Sequence, residues 1–211
     1  MELSKNILLV DDHLVVRKGI ELILINNIKD VNVYNSQNYD EALQIIKTVS
    51  IDLVLLDINI NGSEDIKIMN EIKAIQSNTK ILIFSSHEES QYGLRYIQNG
   101  ADGYLNKFCN EDKILDAVNE ILEKGTYYSN ETKDKLSLKG NKKKSNNPID
   151  SLSNREFEIS RLLISGYGNL EISNKLGIQM STVSTYKNRV FEKLNINNIV
   201  SLSDLFKESD L

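Results

Sequence analysis

Short apolar runs alternate with amphipathic segments over the first half of the chain. The runs are rich in branched residues and lie at Ile7–Val10, Val31–Tyr34, Leu53–Leu56, Ile81–Phe84 and Gly103–Leu105. Continuous runs of this kind are typical of parallel strands that are buried on both faces. The segments between the runs have the apolar spacing of helices, and they cover Val15–Ile25, Tyr39–Val49, Asp65–Ile75, Glu88–Gln98 and Glu111–Glu123. The pattern therefore predicts an α/β domain, an open parallel sheet with helices on both faces.

The tail of the chain has helical segments that are separated by glycines, and it has no strand-like run. The sequence Ser153–Glu156 predicts a capping box at the start of a helix that ends at Gly166. Further helices are predicted over Leu170–Leu176, Ser181–Leu194 and Ile199–Lys207. The first two of these are joined through Gly177, as in a helix-turn-helix. The tail is therefore predicted to be a second, smaller all-α domain.

A basic, polar segment separates the two patterns. We place the first domain at residues 1–125, a linker at 126–147 and the second domain at 148–211, with formal net charges of −8, +4 and −1. Residues 126–138 are compatible with an irregular stub or with one more short helix. The stretch KGNKKKSNNP that follows ends at the only proline of the chain and predicts an exposed hinge. An acidic half joined to a basic connector suggests modules with different partners.

Composition excludes several classes of protein. The chain has 211 residues, of which 40% are hydrophobic and 26% charged, as in globular proteins. No apolar run approaches the roughly 20 residues that span a bilayer, and the start of the chain does not resemble a secretory signal. One cysteine excludes an internal disulfide and a cysteine-based zinc site. We therefore expect a cytoplasmic protein without a membrane partner.

Reactive side chains follow four of the five predicted strands. They are Asp11 and Asp12 after the first strand, Asp57 after the third, Ser85 and Ser86 after the fourth, and Lys107 after the fifth. The carboxyl ends of parallel strands meet at one edge of a sheet, where ligands bind. Clustered carboxylates favour a hard divalent cation such as Mg²⁺, and a carboxylate can accept a phosphoryl group. An ammonium and a hydroxyl would stabilise the transferred oxygens.

These motifs resemble those of a known family. Residues 5–125 are similar to the receiver domain of two-component response regulators in the segments Leu9–His13, Leu55–Asp57, Phe84–Ser86 and Gly100–Lys107. The resemblance implies a flavodoxin-like sheet of order 2-1-3-4-5, with Asp57 as the phosphoacceptor. It also implies a Mg²⁺ site made by Asp12 directly, Asp11 through water, Asp57 and the backbone carbonyl of Asn59. Ser85 and Tyr104 would report phosphorylation, the hydroxyl moving toward the phosphoryl group and the ring turning inward.

The chain departs from the usual receiver pattern at two places. Ile60-Asn61 stands where many receivers have Met-Pro, and Phe108 follows the lysine where many have proline. A loop without proline is less restricted, so the rates of phosphorylation or dephosphorylation are expected to differ. A cis peptide bond before Phe108 would cost about 2.5–4 kcal/mol without proline. Neither change removes a reacting group.

The second helix of the predicted helix-turn-helix has one apolar and one polar face. Helical spacing directs inward Val183, Tyr186, Val190 and Leu194. The residues that this leaves outward or flanking are Ser184, Thr185, Lys187, Asn188 and Arg189. Asparagine and threonine suit base edges, whereas lysine and arginine suit phosphates. A helical protein-interaction module remains an alternative, because the domain as a whole is not basic.

The tail also resembles a known family. It is similar to the LuxR-type helix-turn-helix in the segments Leu152–Glu156, Glu171–Ile172, Ser181–Lys187 and Lys193–Leu194. With the receiver, this identifies the chain as a member of the NarL/FixJ subgroup of response regulators. The DNA-binding residues expected on this basis are Thr182, Ser184, Thr185, Lys187, Asn188 and Arg189. The resemblance also implies that the last helix contributes its apolar side to a dimer, through Val200, Leu202, Leu205 and Phe206.

The resulting hypothesis is a transcription factor, not an enzyme, that is controlled by Mg²⁺-dependent phosphorylation of Asp57. The partners expected are a sensor histidine kinase, double-stranded DNA and a second copy of the chain. One alternative is a phosphatase with an aspartyl-phosphate intermediate, but the segment Asp57-Ile58-Asn59 lacks the second acid of the D-x-D-x-T pattern. Another alternative is a constitutive regulator whose receiver serves only for dimerisation.

Overall fold

A computed structural model of the protein describes residues 4–58, 60, 65–139 and 147–208. These residues form two compact units, one α/β and one all-α. Among the described residues, none of the helices combines the length and the apolar character that crossing a bilayer requires.

The first unit is a five-stranded parallel sheet flanked by helices. Its elements are β1 (Lys5–Val10), α1 (Leu14–Asn27), β2 (Val31–Ser36), α2 (Tyr39–Thr48), β3 (Leu53–Leu56), α3 (Asp65–Ile75), β4 (Lys80–Ser85), α4 (Glu89–Gln98), β5 (Gly103–Asn106), α5 (Glu111–Lys124) and α6 (Asn130–Lys139). The strand order is β2-β1-β3-β4-β5. This confirms the α/β class and the flavodoxin-like topology.

The register of the sheet follows from its buried strands. All four residues of β3 are buried, and β1 is buried from Ile7 onward, so both strands require helices on each face. Val10 pairs with Leu56, and Ser85 pairs with Asn106. The residues that follow these pairs therefore leave the sheet side by side at one edge.

The helices begin and end where local chemistry favours it. The Asn110 side chain accepts a hydrogen bond from the Lys113 backbone N–H at 3.2 Å at the start of α5, and Gly125 ends that helix with a φ of +86°. Such a positive φ strains residues that carry a Cβ atom.

Helix α6 occupies part of the predicted linker, and it contacts α4. The Glu89 carboxylate accepts hydrogen bonds from the Ser129 backbone N–H at 3.1 Å and from the Thr132 hydroxyl at 2.8 Å. The Thr132 side chain is thereby buried at the first turn of α6. Of the two alternatives left by the sequence, the short helix is the one observed.

The described residues of the second unit form a short 3-10 helix followed by four α-helices. They are the 3-10 helix Pro148–Ser151, α7 (Asn154–Ile164), α8 (Asn169–Leu176), α9 (Met180–Leu194) and α10 (Ile199–Glu208). The capping box at the start of α7 is present, with the Ser153 side chain accepting from the Glu156 backbone and the Glu156 side chain accepting from the Ser153 backbone. Gly177 adopts the left-handed conformation between α8 and α9. The predicted all-α class and the helix-turn-helix are both observed.

Candidate phosphorylation site and helix-turn-helix

Two buried carboxylates share one ammonium group at the carboxyl edge of the sheet. Asp11 follows β1 and Asp57 follows β3, and their paired strands set them next to each other. The Lys107 Nζ lies 2.6 Å from Asp11 Oδ2 and 2.9 Å from Asp57 Oδ2. The side chains of the two aspartates are 6% and 2% exposed. The predicted convergence of these three residues is therefore observed.

The same edge offers a set of ligand atoms suited to a cation. One ligand atom each from Asp11, Asp12, His13 and Asp57 lies within 4.8 Å of the others. Asp12 is exposed whereas Asp57 is buried, so the cluster opens to solvent on one side. The predicted fourth contributor, Asn59, lies outside the described residues.

Two further residues of this edge were not predicted from the sequence. His13 Nδ1 lies 3.1 Å from Asp11 Oδ1 and 2.8 Å from Asp12 Oδ1. The buried Arg17 side chain donates a hydrogen bond to the Asp11 backbone carbonyl. The sequence could have indicated His13, because it directly follows the two aspartates. Nothing in the sequence of α1 indicates the contact of Arg17.

Ser85 and Tyr104 interact through their side chains, and they are also connected through one residue of the loop after β4. The Ser85 Oγ accepts a hydrogen bond from the His87 backbone N–H at 3.1 Å, and the Tyr104 hydroxyl donates to the His87 carbonyl at 3.0 Å. Both side chains are fully buried. Burial is also the main cause that raises the pKa of the Tyr104 hydroxyl. The hydroxyl therefore stays protonated and can donate its hydrogen bond. The Tyr104 ring points inward in this structure.

The two departures from the usual receiver pattern lie near this edge. Ile60 is buried, whereas Asn61 lies outside the described residues. The peptide bond before Phe108 is trans, and the Phe108 side chain is 82% exposed. The chain after Lys107 therefore continues without a cis bond.

In the second unit, half of the predicted DNA-binding residues of α9 are exposed to solvent. Thr185, Asn188 and Arg189 are exposed, while Thr182, Ser184 and Lys187 are half-buried. The Ser184 hydroxyl accepts a hydrogen bond from the Asn169 side chain at 3.0 Å and donates to the Met180 carbonyl at 3.1 Å. Ser184 is therefore engaged within the unit, as is the exposed Thr185, whose hydroxyl donates to the Ser181 carbonyl at 3.0 Å.

The apolar face of α9 is buried largely as predicted. Val183, Val190 and Leu194 are in the core. Tyr186 is only half-buried, and the carbon of the Arg189 guanidinium lies 5.8 Å from its ring centroid. Tyr186 therefore does not pack fully inward as expected.

One basic residue of α9 is neutralised within the unit. The Lys193 Nζ lies 2.7 Å from the Glu156 carboxylate. Burial acts to raise the pKa of Glu156, but the Lys193 hydrogen bond and those of Ser153 outweigh it and hold that pKa below its ordinary value. The charge that α9 offers to a partner therefore comes from Lys187 and Arg189. The lysines at positions 142–144 lie outside the described residues.

The expectation for the last helix needs a correction. Leu202 and Phe206 are 0% and 2% exposed, and the Phe206 ring stacks on Phe157 with 5.4 Å between centroids. These two residues form the core of their own unit, so they are not available to a dimer partner. Val200, which is 71% exposed, and the half-buried Leu205 keep apolar surface.

Comparisons with known proteins agree with both units. Residues 7–119 match the response regulator receiver domain, and residues 150–206 match the LuxR family of bacterial regulatory proteins. The fimbriae Z protein of Escherichia coli K12 is 35% identical over 207 residues, covering 98% of each chain. The response regulator UvrY of the same strain is 32% identical over 202 residues, covering 95% of this chain and 92% of UvrY.

A solved structure has the same fold. RcsB of Salmonella enterica serovar Typhimurium, in a structure described as bound to promoter rprA with the phosphomimetic BeF3⁻, has a TM-score of 0.56 at 21% identity, covering 97% of this chain and 99% of that one. The matches to the receiver and LuxR families together span most of the sequence, in the order that the two units have in the fold. The chain belongs to the NarL/FixJ-type response regulators, which join a receiver domain to a LuxR-type DNA-binding domain.

Proposed function

We propose that the protein is a transcription factor in which Asp57 accepts a phosphoryl group from a sensor histidine kinase. The observation that carries this proposal is the Lys107 ammonium held 2.6 Å from Asp11 and 2.9 Å from Asp57. In the transfer, an Asp57 carboxylate oxygen forms a bond to phosphorus as the bond from phosphorus to the kinase imidazole breaks. Lys107 and the Ser85 hydroxyl then stabilise the phosphoryl oxygens.

The carboxylates of this site fit a bound Mg²⁺. Asp11, Asp12 and Asp57 supply hard oxygen ligands within a small space, and we assign a further ligand to the backbone carbonyl of Asn59. Mg²⁺ in such a site neutralises negative charge on the phosphoryl oxygens. The protein residues hold Asp57 in place and shield it from bulk water.

The loop after β4 supports a route from the phosphoryl group to α4. A Ser85 hydroxyl drawn toward the phosphoryl group would change its hydrogen bond with the His87 N–H, and the His87 carbonyl is the acceptor for Tyr104. Helix α4 begins at Glu89, directly after this loop. We infer that the Ser85–Tyr104 pair alters the surface around α4, β5 and α5.

We assign DNA recognition to α9. Asn188 and Thr185 are exposed groups suited to base edges, while Lys187 and Arg189 suit phosphates. Thr182 and Ser184 complete the assigned set. A homodimer formed on phosphorylation or on DNA would read two half-sites about one helical turn apart. The exposed apolar side chains of Ile199 and Val200 support a dimer contact through α10.

We assign the receiver to residues 1–125, the linker to 126–147 and the DNA-binding domain to 148–211. A regulator of this design acts on DNA in the cytoplasm and is not itself an enzyme.

The test is phosphorylation of the full chain by acetyl phosphate with Mg²⁺, followed by intact mass. We expect one added phosphoryl group on the wild type and on a control with Asp112→Asn, an exposed residue of α5. No addition is expected with Asp57→Asn. Stoichiometric labelling of the Asp57→Asn variant would overturn the assignment.

A further inference from the structure

A tyrosine hydroxyl lies behind the phosphoacceptor, on the backbone side. Tyr39 is the first residue of α2, and its hydroxyl oxygen is 3.0 Å from the backbone carbonyl oxygen of Asp57. The same hydroxyl is hydrogen-bonded to a carboxyl oxygen of Asp65, the first residue of α3. The other Asp65 oxygen lies 3.4 Å from the Tyr96 hydroxyl of α4. Three helices therefore meet at one carboxyl group behind the phosphorylation site.

The Asp57 backbone is held from both sides by these contacts. Its N–H donates to the Val10 carbonyl at 2.8 Å, which continues the pairing of β1 with β3. The ladder itself ends one residue earlier, at Leu56. The Tyr39 hydroxyl bonds to the Asp57 carbonyl one residue beyond the end of this ladder, and buried backbone carbonyls in native structures are hydrogen-bonded.

The number of protons determines how these hydrogen bonds can coexist. A tyrosine hydroxyl has one proton to donate, and a backbone carbonyl can only accept. Tyr39 can donate to Asp57 while bonded to Asp65 only if the Asp65 carboxyl donates to the Tyr39 oxygen. Asp65 is 3% exposed, and burial raises its pKa to about 7 against the effects of the Tyr39 hydrogen bond and the Arg95 charge. The buried surroundings are thus suited to a protonated carboxyl.

We propose that Tyr39 and Asp65 are positioning residues of the phosphorylation site. Asp65 orients the Tyr39 hydroxyl toward the Asp57 carbonyl, and this hydrogen bond fixes the backbone that carries the phosphoacceptor. The proposal rests on the proposed function, because it takes Asp57 as the group that reacts. Small displacements of a nucleophile slow a reaction strongly. Loss of this support should therefore slow phosphorylation without removing the reacting group.

The experiment measures the rate of phosphorylation of the full chain by acetyl phosphate at saturating Mg²⁺. Tyr39→Phe removes the hydroxyl and is expected to slow the rate about tenfold. Tyr34→Phe, at a half-buried tyrosine of β2, is the matched control and should leave the rate unchanged. Each rate is taken at a temperature at which circular dichroism shows the variant to be folded, so that lost stability alone does not change it.

Substitutions of Asp65 test the direction of the hydrogen bond. The amide of Asp65→Asn can donate to the Tyr39 oxygen as the acid does, so the rate should stay within about twofold of the wild type. Asp65→Leu removes the donor and should slow the rate as Tyr39→Phe does. If Asp65→Leu does not fold, the phosphorylation rates of Asp65→Asn and Tyr39→Phe still test the proposal, because only Tyr39→Phe should be slow.

Two results would overturn the proposal. One is a folded Tyr39→Phe variant that is phosphorylated at the wild-type rate, and the other is an Asp65→Asn variant as slow as Tyr39→Phe. Labelling of Asp57→Asn would instead contradict the proposed function. The two failures are therefore distinguishable.

Discussion

Removal of the Lys107 charge tests whether this residue balances the two buried carboxylates. In Lys107→Met the side chain keeps a similar length, while Asp11 and Asp57 lose the cation that lies 2.6 and 2.9 Å from them. At an effective dielectric constant of about 20, each such pair attracts by about 6 kcal/mol, and the loss of hydration offsets much of this. Breaking a buried ion pair by removal of one partner costs about 3–5 kcal/mol. We expect the free energy of unfolding to fall by about 3 kcal/mol in EDTA.

A divalent cation should reverse part of this loss. Mg²⁺ that binds the folded site stabilises the folded state, and it would neutralise the same two carboxylates. We therefore expect millimolar Mg²⁺ to restore roughly half of the lost stability of the variant, with a smaller effect on the wild type.

Urea unfolding followed by circular dichroism, with EDTA or with Mg²⁺, measures these changes. Lys124→Met is the control, because this lysine is 68% exposed and lies 3.8 Å from Glu120. Its effect should be within about 0.5 kcal/mol. A Lys107→Met variant as stable as the wild type in EDTA, or one whose stability Mg²⁺ does not restore at all, would show that Lys107 does not balance the two carboxylates.

Three more predictions concern other parts of the chain. The pKa of Glu156 is lowered by folding, so its contribution to stability is complete above its unfolded pKa and is lost as the pH falls through the folded value. In Glu156→Gln the urea midpoint should therefore fall less steeply as the pH is lowered than it does in the wild type. The same decrease in both proteins would contradict this. In Gly93→Ala the added Cβ atom would lie 2.7 Å from the Glu89 Cγ. Because the displaced Glu89 carboxylate would weaken its hydrogen bonds to Ser129 and Thr132, amide hydrogen exchange at the start of α6 should be faster. The control Gly19→Ala meets nothing within 4 Å and should stabilise α1 by about 0.5–1 kcal/mol; equal exchange in both variants would count against the contact. Asn188→Ala should weaken binding to a selected DNA site by about 1–3 kcal/mol but leave binding to random DNA unchanged, and equal losses on both DNAs in a filter-binding assay would exclude base recognition.

The parallel sheet was predictable because its strands are continuous apolar runs. Once the runs are identified, the residues that follow them must share an edge, and this places Asp11, Asp57 and Lys107 together without knowledge of side-chain packing. The sheet order came from the family resemblance.

The positions of Tyr39 and Asp65 could not be predicted in the same way. They begin two different helices, and their contact depends on how α2 and α3 pack against each other. No spacing in the sequence indicates that contact, because each residue alone is ordinary at a helix start.

Apolar periodicity has a similar limit in the last helix. The spacing of Leu202 and Phe206 correctly indicates a buried face, but it does not say whether the covering residue belongs to the same chain. The stacking of Phe206 on Phe157 shows that it does. Helix α6 has a weak apolar pattern, and contacts with Glu89 hold its first turn.

We propose that phosphorylation of Asp57 controls DNA binding by the full chain. The most direct measurement is the affinity of the full chain for a selected DNA site by fluorescence anisotropy, with Mg²⁺ and with or without beryllofluoride, at fixed ionic strength. We predict that beryllofluoride tightens binding by the wild type and leaves binding by Asp57→Asn unchanged. Equal affinity of the wild type in both conditions would contradict the claim and indicate a constitutive regulator.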